Sequence, residues 1–398
     1  MPKIKDIKTK IIKDSRDNDT IETEIILESD IMAKASVPHG KSKGSKEVVS
    51  LPAKESVEKI ENIIKPAIIK KDFFSQEDFD NFLISLDGTK DKSRLGGNSI
   101  LSCSLAFARA ESKIQNKPLY KYIADMTNLE VGLPNFYMNL INGGEHAHNN
   151  LDWQEYMIVV KAKTAEEQLK IGKEIFNRLA TKFKEAGKNI SYGDEGGYDM
   201  DFKSYEEPLK ILDNVITELD HQDKVKLALD VAANSFSQQD GVYYTIRGSR
   251  TSPSQLIDIY KDVVSKYPII SIEDPFEENQ IKDYATLNQF LETKNGFVVG
   301  DDLTVTNPNL IKIASNSIGG VIIKPNQIGT LTETLKAIKI AKEAKLKIIV
   351  SHRSGETMDD FIADLAYGVG AFGLKAGAPG PIERMVKYQR IIQFEKQT

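Results

Sequence analysis

Six apolar segments in the second half of the sequence each run into a charged or ring-bearing residue. KVKLALD ends on Asp230, YPIISIED carries Glu273, GFVVGDD reaches Asp301, GGVIIK ends on Lys324, KLKIIVSHRS carries His352, Arg353 and Ser354, and AFGLK ends on Lys375. Successive members of this series lie 43, 28, 23, 28 and 23 residues apart. One strand with its helix and joining loops takes roughly 20–45 residues, since a whole βαβ unit needs about 30 or more. The series therefore describes successive strands of a closed βα barrel, with the chemistry at their carboxyl ends. A carboxylate that follows an apolar strand is costly to bury without a partner. Three hard oxygen ligands, Asp230, Glu273 and Asp301, suit Mg²⁺. One isolated strand-end Asp would sooner cap a helix or join a surface ion pair; the convergence of three beside lysines points to the metal. Lys324 and Lys375 then sit near a dication and another ammonium. Like charge disfavours the protonated form of each, which makes a general base available near neutral pH.

Other residues could join this rim. Glu155 in WQEYMIVV and Glu195 in YGDEGGYD could share a proton and divide acid and base roles, although spacing alone is a weak signal of such a pair. NGGEHAHNN is a Gly-rich loop in which His146 could close over a ligand, and a metal site using His146 and His148 is the competing arrangement. His148 is expected to be solvated. Arg353 with Ser354 could bind a phosphate bidentately or sit in a surface ion pair. His221 is expected to be structural, Trp153 to be barrel packing and Cys103 to be a buried structural thiol.

The elements that must hold these residues begin with a different pattern. Residues 3–13 and 19–37 alternate as strands, and three helical stretches follow near 54–71, 75–86 and 97–113. In the third, Ile100, Cys103, Phe107 and Ala110 share one face. Between strands and helices lies VPHGKSKGSKEVVSLP, whose Gly40 and Gly44 make it a candidate for movement. The expected organisation is a small α+β domain over residues 1–130, with a mobile loop at 38–46, then a (β/α)8-type barrel over 131–398. The chain has 398 residues, 40% hydrophobic and 28% charged, with a net charge of −5. This composition suits a globular cytoplasmic protein and gives no reason to expect nucleic-acid binding. One cysteine excludes an intramolecular disulfide and a thiolate zinc cage. MPKIKDIKTK lacks a signal-peptide core, and no window approaches a membrane span.

Several strings resemble those of the enolase family: DSRDNDTIE, SLDGTKDKSRLGGNSIL, INGGEHA, GDEGG, SIEDPF, DDLTVTN, KPNQIGTLTE, SHRSGET and KAGAP, spread from about residue 14 to 384. The resemblance implies an enolase-type barrel and a hydro-lyase of glycolysis that converts 2-phospho-D-glycerate to phosphoenolpyruvate through an ene-diolate. Sites of this superfamily use a Lys or His base with one or two Mg²⁺ ions. By resemblance, Asp230, Glu273 and Asp301 hold the first Mg²⁺, and Ser42 joins a second that arrives with substrate. Lys324 removes the C2 proton and Lys375 faces the substrate carboxylate. Glu195 protonates the leaving hydroxyl with Glu155 beside it, and His146 closes on the substrate. His352, Arg353 and Ser354 line the phosphate and carboxylate pocket. A homodimer, or a multiple of dimers, is also implied.

The sequence departs from the family's pattern in places. The usual SGASTG loop is HGKSKG here, and APGPIER stands for AP-RSER. Gln393 stands where an arginine commonly pairs across the dimer with the equivalent of Glu22, so Glu22 is expected to lose that partner from the second subunit. Lys41, Lys43 and Lys46 around Ser42 could attract an anionic substrate or form ordinary solvated surface. Two other functions compete with the main one: a related enzyme acting on another carboxylate, such as an acid sugar, and a binding protein without activity. Lys324, Glu195 and SHRSGE together argue against the first. Retention of every metal carboxylate and both lysines argues against the second.

Overall fold

A computed structural model describes residues 3–41, 44–69, 71–239 and 241–396. Three antiparallel strands open the chain: β1 (Ile4–Lys13), β2 (Asp19–Leu27) and β3 (Met32–Ser36). The expected single strand over 19–37 is two strands, because the chain turns between Leu27 and Met32 with Asp30 in the left-handed region at φ 59°. A helical run follows: α1 (Ala53–Lys59), a π-helical segment Ile60–Ile64 and α2 (Lys65–Ile68). Next come α3 (Gln76–Asp87), α4 (Gly97–Ile114) and α5 (Leu119–Thr127). Ser75 caps α3 by accepting from Asp78 N, and Gly88 ends it with φ 71°. Helix α5 has no counterpart in the expected pattern. The amphipathic expectation for α4 is too narrow, since every residue from Gly97 to Ala108 is buried. One side packs on β2 and β3, where Thr23 and Ser102 hydroxyls meet at 2.8 Å; another meets the barrel, where Ser104 Oγ accepts from Leu331 N.

The remaining elements wind a barrel. In order they are β4 (Asn135–Asn142), β5 (Glu155–Val160), α6 (Ala165–Glu185), β6 (Ser191–Tyr192), β7 (Tyr198–Asp199), α7 (Glu207–Glu218) and β8 (Val225–Asp230). A small three-stranded sheet follows, β9 (Ser237–Gln238), β10 (Tyr243–Ile246) and β11 (Ser249–Thr251). The chain continues through α8 (Pro253–Lys266), β12 (Ile269–Glu273), α9 (Ile281–Glu292), β13 (Phe297–Gly300), α10 (Pro308–Ala314), β14 (Gly320–Ile323), α11 (Pro325–Ile328) and α12 (Leu331–Glu343). It ends with β15 (Lys347–Ser351), α13 (Phe361–Gly368), β16 (Gly373–Lys375) and α14 (Ile382–Glu395). Strands β4, β5, β8, β12, β13, β14, β15 and β16 form a closed ring, with β16 pairing back to β4. All neighbours are parallel except at β5, which runs antiparallel to β4 and β8. Its first residue, Glu155, therefore sits on the rim where the other strands end, opposite Asp230 and Asn142.

Strand pleating aims the rim residues. Ala228, Val299 and Ile322 belong to one buried cluster with Tyr137 and Met157 that fills the barrel interior. Side chains two positions on share that inward face, and those are Asp230, Asp301 and Lys324. Trp153 is fully buried against Tyr156, Tyr205 and Tyr260, as expected. Cys103 is buried, and burial pushes its thiol up to about 12. His221 rests 3.0 Å from Glu174 Oε2, while the His148 side chain is 93% exposed.

Candidate active site

Four groups meet at the mouth of the barrel. In the first, the Lys375 ammonium lies 2.8 Å from Asp230 Oδ2, 2.7 Å from Glu273 Oε2 and 3.3 Å from Glu155 Oε2. Burial alone would lower Lys375, but the carboxylates around it, Asp230 first, hold it well above its usual value. In the second, Lys324 contacts Asp301 Oδ2, and Gln327 Nε2 donates to Asp301 Oδ1 at 2.8 Å. Burial would raise Asp301, yet the Lys324 charge outweighs it and keeps the carboxyl below its usual range. Burial would likewise lower Lys324, and Asp301 raises it. The expected lowering of this lysine thus does not arise from protein groups alone. Arg353 and Lys375 do push it down, but the touching carboxylate is nearer and wins.

Histidines and acids form the third group. His146 Nδ1 stands 3.4 Å from Glu195 Oε1 and 3.8 Å from Glu155 Oε1, and His352 Nε2 faces Glu195 Oε2 at 3.4 Å. Arg384 Nη1 lies 2.6 Å from His352 Nδ1. A guanidinium only donates, so Nδ1 accepts and Nε2 carries the proton toward Glu195. Burial lowers His352 to about 4 and also lowers His146, leaving both rings neutral at neutral pH. Burial would raise Glu195, but His352, His146 and the Arg384 charge favour its carboxylate, and it lies well below its usual range; Asn139 Nδ2 also donates to its Oε2 at 3.1 Å. Burial and then the Glu195 charge push Glu155 well up. With protein groups alone, the pair's proton rests on Glu155.

The fourth group belongs to the loops. Arg353 Nη1 is 3.0 Å from Glu47 Oε2, and Ser354 Oγ accepts from Lys41 N at 2.9 Å. Lys41 Nζ reaches Asp194 and Lys46 Nζ reaches Glu278, both at 3.3 Å. These two lysines are engaged with acids of the barrel rather than held free for an incoming anion, because the rim offers carboxylates within reach. Ser42 and Lys43 lie outside the described residues.

The donor set fits a divalent metal. Glu273 Oε1 is buried with no hydrogen-bond partner. The pocket wall carries seven carboxylates (Glu47, Glu155, Glu195, Asp230, Asp274, Asp301 and Asp302) against three cations (Lys324, Arg353 and Lys375). Burial, followed by neighbouring acids, raises Glu273 and Asp274 well up and Asp302 to about 7. That is how an acidic cluster short of positive charge behaves. The expected trio does not close into one tight cluster: Asp230 and Glu273 share Lys375. Among the described residues, the groups whose ligand atoms lie within 4.8 Å of one another are Asp274, Asp301 and Asp302, and His146, Glu155 and Glu195.

Several members escaped the sequence. Asp274 accepts from the backbone N–H of Asp301 (2.9 Å) and Asp302 (2.7 Å), so it orients the β13 end; its signal was its place beside Glu273. Arg384 is fully buried and donates to the carbonyls of Arg353, Ser354 and Asp194 at 2.7, 2.6 and 3.1 Å. Its signal was the altered string APGPIER. Glu47 carried none, because it arrives from the other domain.

Family models match nearly the whole chain. One described as Enolase, N-terminal domain covers residues 4–123, and one described as Enolase, C-terminal TIM barrel domain covers residues 130–398. The chain is 40% identical over 413 residues to the protein named Enolase from Methanopyrus kandleri, with 100% of this chain and 96% of the relative covered. It is 39% identical over 409 residues to the Enolase of Methanocaldococcus jannaschii, with 99% and 95% covered.

Proposed function

The chain belongs to the enolase family, and from that premise we propose how its rim works. The protein is a hydro-lyase, phosphopyruvate hydratase, that dehydrates 2-phosphoglycerate to phosphoenolpyruvate reversibly, a step of glycolysis. The observation that carries this is that one pocket is lined by Lys324 and Lys375 together with Glu195 and His352. A base and an acid can thus reach adjacent carbons of one small acid.

The family is metal-dependent, and Mg²⁺ suits a pocket built of hard oxygen donors. Asp230, Glu273 and Asp301 would hold the first ion and Ser42 would join a second with substrate. Bound Mg²⁺ supplies positive charge that neutralises the substrate carboxylate and the enolate dianion. Lys324 accepts the C2 proton. The Lys375 ammonium, fixed between three carboxylates, presents charge to the substrate carboxylate. The proton for the departing C3 hydroxyl passes from Glu155, which holds the pair's proton, to Glu195 and from Glu195 to the leaving oxygen. His146 covers the site, while His352, Arg353 and Ser354 receive the phosphate. His352 acts as a neutral N–H donor, since burial keeps it uncharged.

A division into residues 1–130 and 131–398 is supported by the end of α5 at Thr127 and the start of β4 at Asn135. A cytoplasmic homodimer that binds no nucleic acid fits the single cysteine, the acidic balance and the family. Among the described residues, no helix is long and apolar enough to cross a membrane. The test is ultraviolet detection of phosphoenolpyruvate from 2-phosphoglycerate. Activity should vanish with chelator, return with Mg²⁺ and need more Mg²⁺ in Asp301→Asn. Full activity in metal-free protein would remove the mechanism.

A further inference from the structure

Lys41, on the loop after β3, reaches across the rim to two other loops. Its ammonium donates to the Glu145 carbonyl at 2.5 Å and lies 3.3 Å from Asp194 Oδ2, while its backbone N–H holds Ser354 Oγ at 2.9 Å. Glu145 directly precedes His146, and Asp194 directly precedes Glu195. The two loops are already coupled: Asp194 N donates to His146 O at 3.0 Å, and the His146 ring faces Glu195 at 3.4 Å. One side chain from the small domain therefore touches both barrel segments that present the acid side of the site.

We propose that Lys41 is a positioning residue for the reaction: it straps the small domain to the loops of His146 and Glu195 and holds those groups over the leaving hydroxyl. The proposal rests on the dehydratase reading above. Its value is geometric. The Lys41 side chain is 36% exposed, and an ion pair of that kind adds little to stability. Misplacing a reacting group by ~1 Å, however, costs on the order of a hundredfold in rate. Asp194 has a second cation, Arg16 Nε at 3.5 Å, so removing Lys41 takes away the strap without stranding the carboxylate. Lys324 directly follows β14, three strands round the ring from β4, and pairs with Asp301, whereas the strap's side-chain contacts are with Glu145 and Asp194. The strap should therefore act on loss of the C3 hydroxyl rather than on removal of the C2 proton. A lysine that merely attracted the anionic substrate would affect both alike.

The experiment compares solvent exchange of the C2 proton with phosphoenolpyruvate formation in the full-length, Mg²⁺-loaded protein, using Lys41→Ala, Lys41→Arg, Asp194→Asn and the Lys41→Ala/Asp194→Asn pair. Lys41→Ala should lower the dehydration kcat by roughly tenfold or more while exchange falls less than about twofold. Lys41→Arg, which can still reach the carbonyl and the carboxylate, should recover most of the loss. The double variant should lose clearly less than the product of the single losses, as groups in contact do. Proportional loss of exchange and dehydration, or no change in either, overturns the strap. Wild-type protein that neither exchanges nor dehydrates overturns the dehydratase reading itself, and the strap's role with it.

Discussion

Lys324 and Glu195 divide the proposed reaction within one pocket, and their variants should differ accordingly. Lys324→Ala removes the group that accepts the C2 proton, so both exchange of that proton and dehydration should cease. Glu195→Gln keeps the shape but cannot deliver a proton, so exchange should persist while dehydration stops. Rapid exchange in Lys324→Ala, followed by NMR in heavy water, would refute the base assignment. Asp364, on α13 behind the barrel wall, tests the electrostatics at a site without chemistry. Burial raises its carboxyl to about 6, even though Arg390 Nε sits 3.0 Å away. A folded-state value above the unfolded one contributes stability that is complete below about 3.8 and lost as pH rises through about 6. The loss at neutral pH is on the order of 3 kcal/mol. Asp364→Asn should therefore gain on wild type between pH 4.5 and 7 in urea unfolding; a constant difference between the two proteins would contradict this.

At the scale of elements, the barrel rim depends on segments that carry no chemistry. The SHRS segment after β15 is pinned by Arg384, at the start of α14, through the carbonyls of Arg353 and Ser354. Arg384→Met keeps the volume and strands those buried carbonyls, each at a cost of ~1–3 kcal/mol. We expect a stability loss of about 3 kcal/mol or more by urea titration, together with a raised KM for 2-phosphoglycerate, because Arg353 and Ser354 lose their support. Unchanged KM in a folded Arg384→Met protein would mean that the segment holds itself. The antiparallel β5 teaches a related lesson. Its WQEYMIVV run reads as a strand, yet nothing local reveals its direction, and direction alone brings Glu155 to the working end.

For the whole molecule, the open question at sequence level was Glu22. Whatever Gln393 removes across a dimer, Glu22 meets Lys10 at 2.8 Å and Lys34 at 3.2 Å on the flanking strands of its own sheet. Both are exposed lysines and are worth little for stability, but they satisfy the carboxylate within one chain. A dimer built through this face would not depend on Glu22 for its attraction. We expect sedimentation at micromolar concentration to give a dimer, and Glu22→Gln to leave it intact. A monomer in either protein would contradict the assembly or its independence from that charge.

Residue types, order and spacing determined the barrel, the small domain before it and which side chains stand at the rim, because strand period and strand-end position are local properties of the chain. KLALD, VVGDD and GVIIK state which side chains face inward before any folding is known. Only the tertiary structure decided what each group meets. Asp230 and Glu273 share Lys375, Lys324 is held by Asp301, Arg384 pins SHRS, and Lys41 reaches Glu145 and Asp194, across separations of roughly a hundred residues or more in several cases. Such pairings, and the protonation states they impose, follow from distance and burial in three dimensions, and neither quantity is written in neighbouring residues.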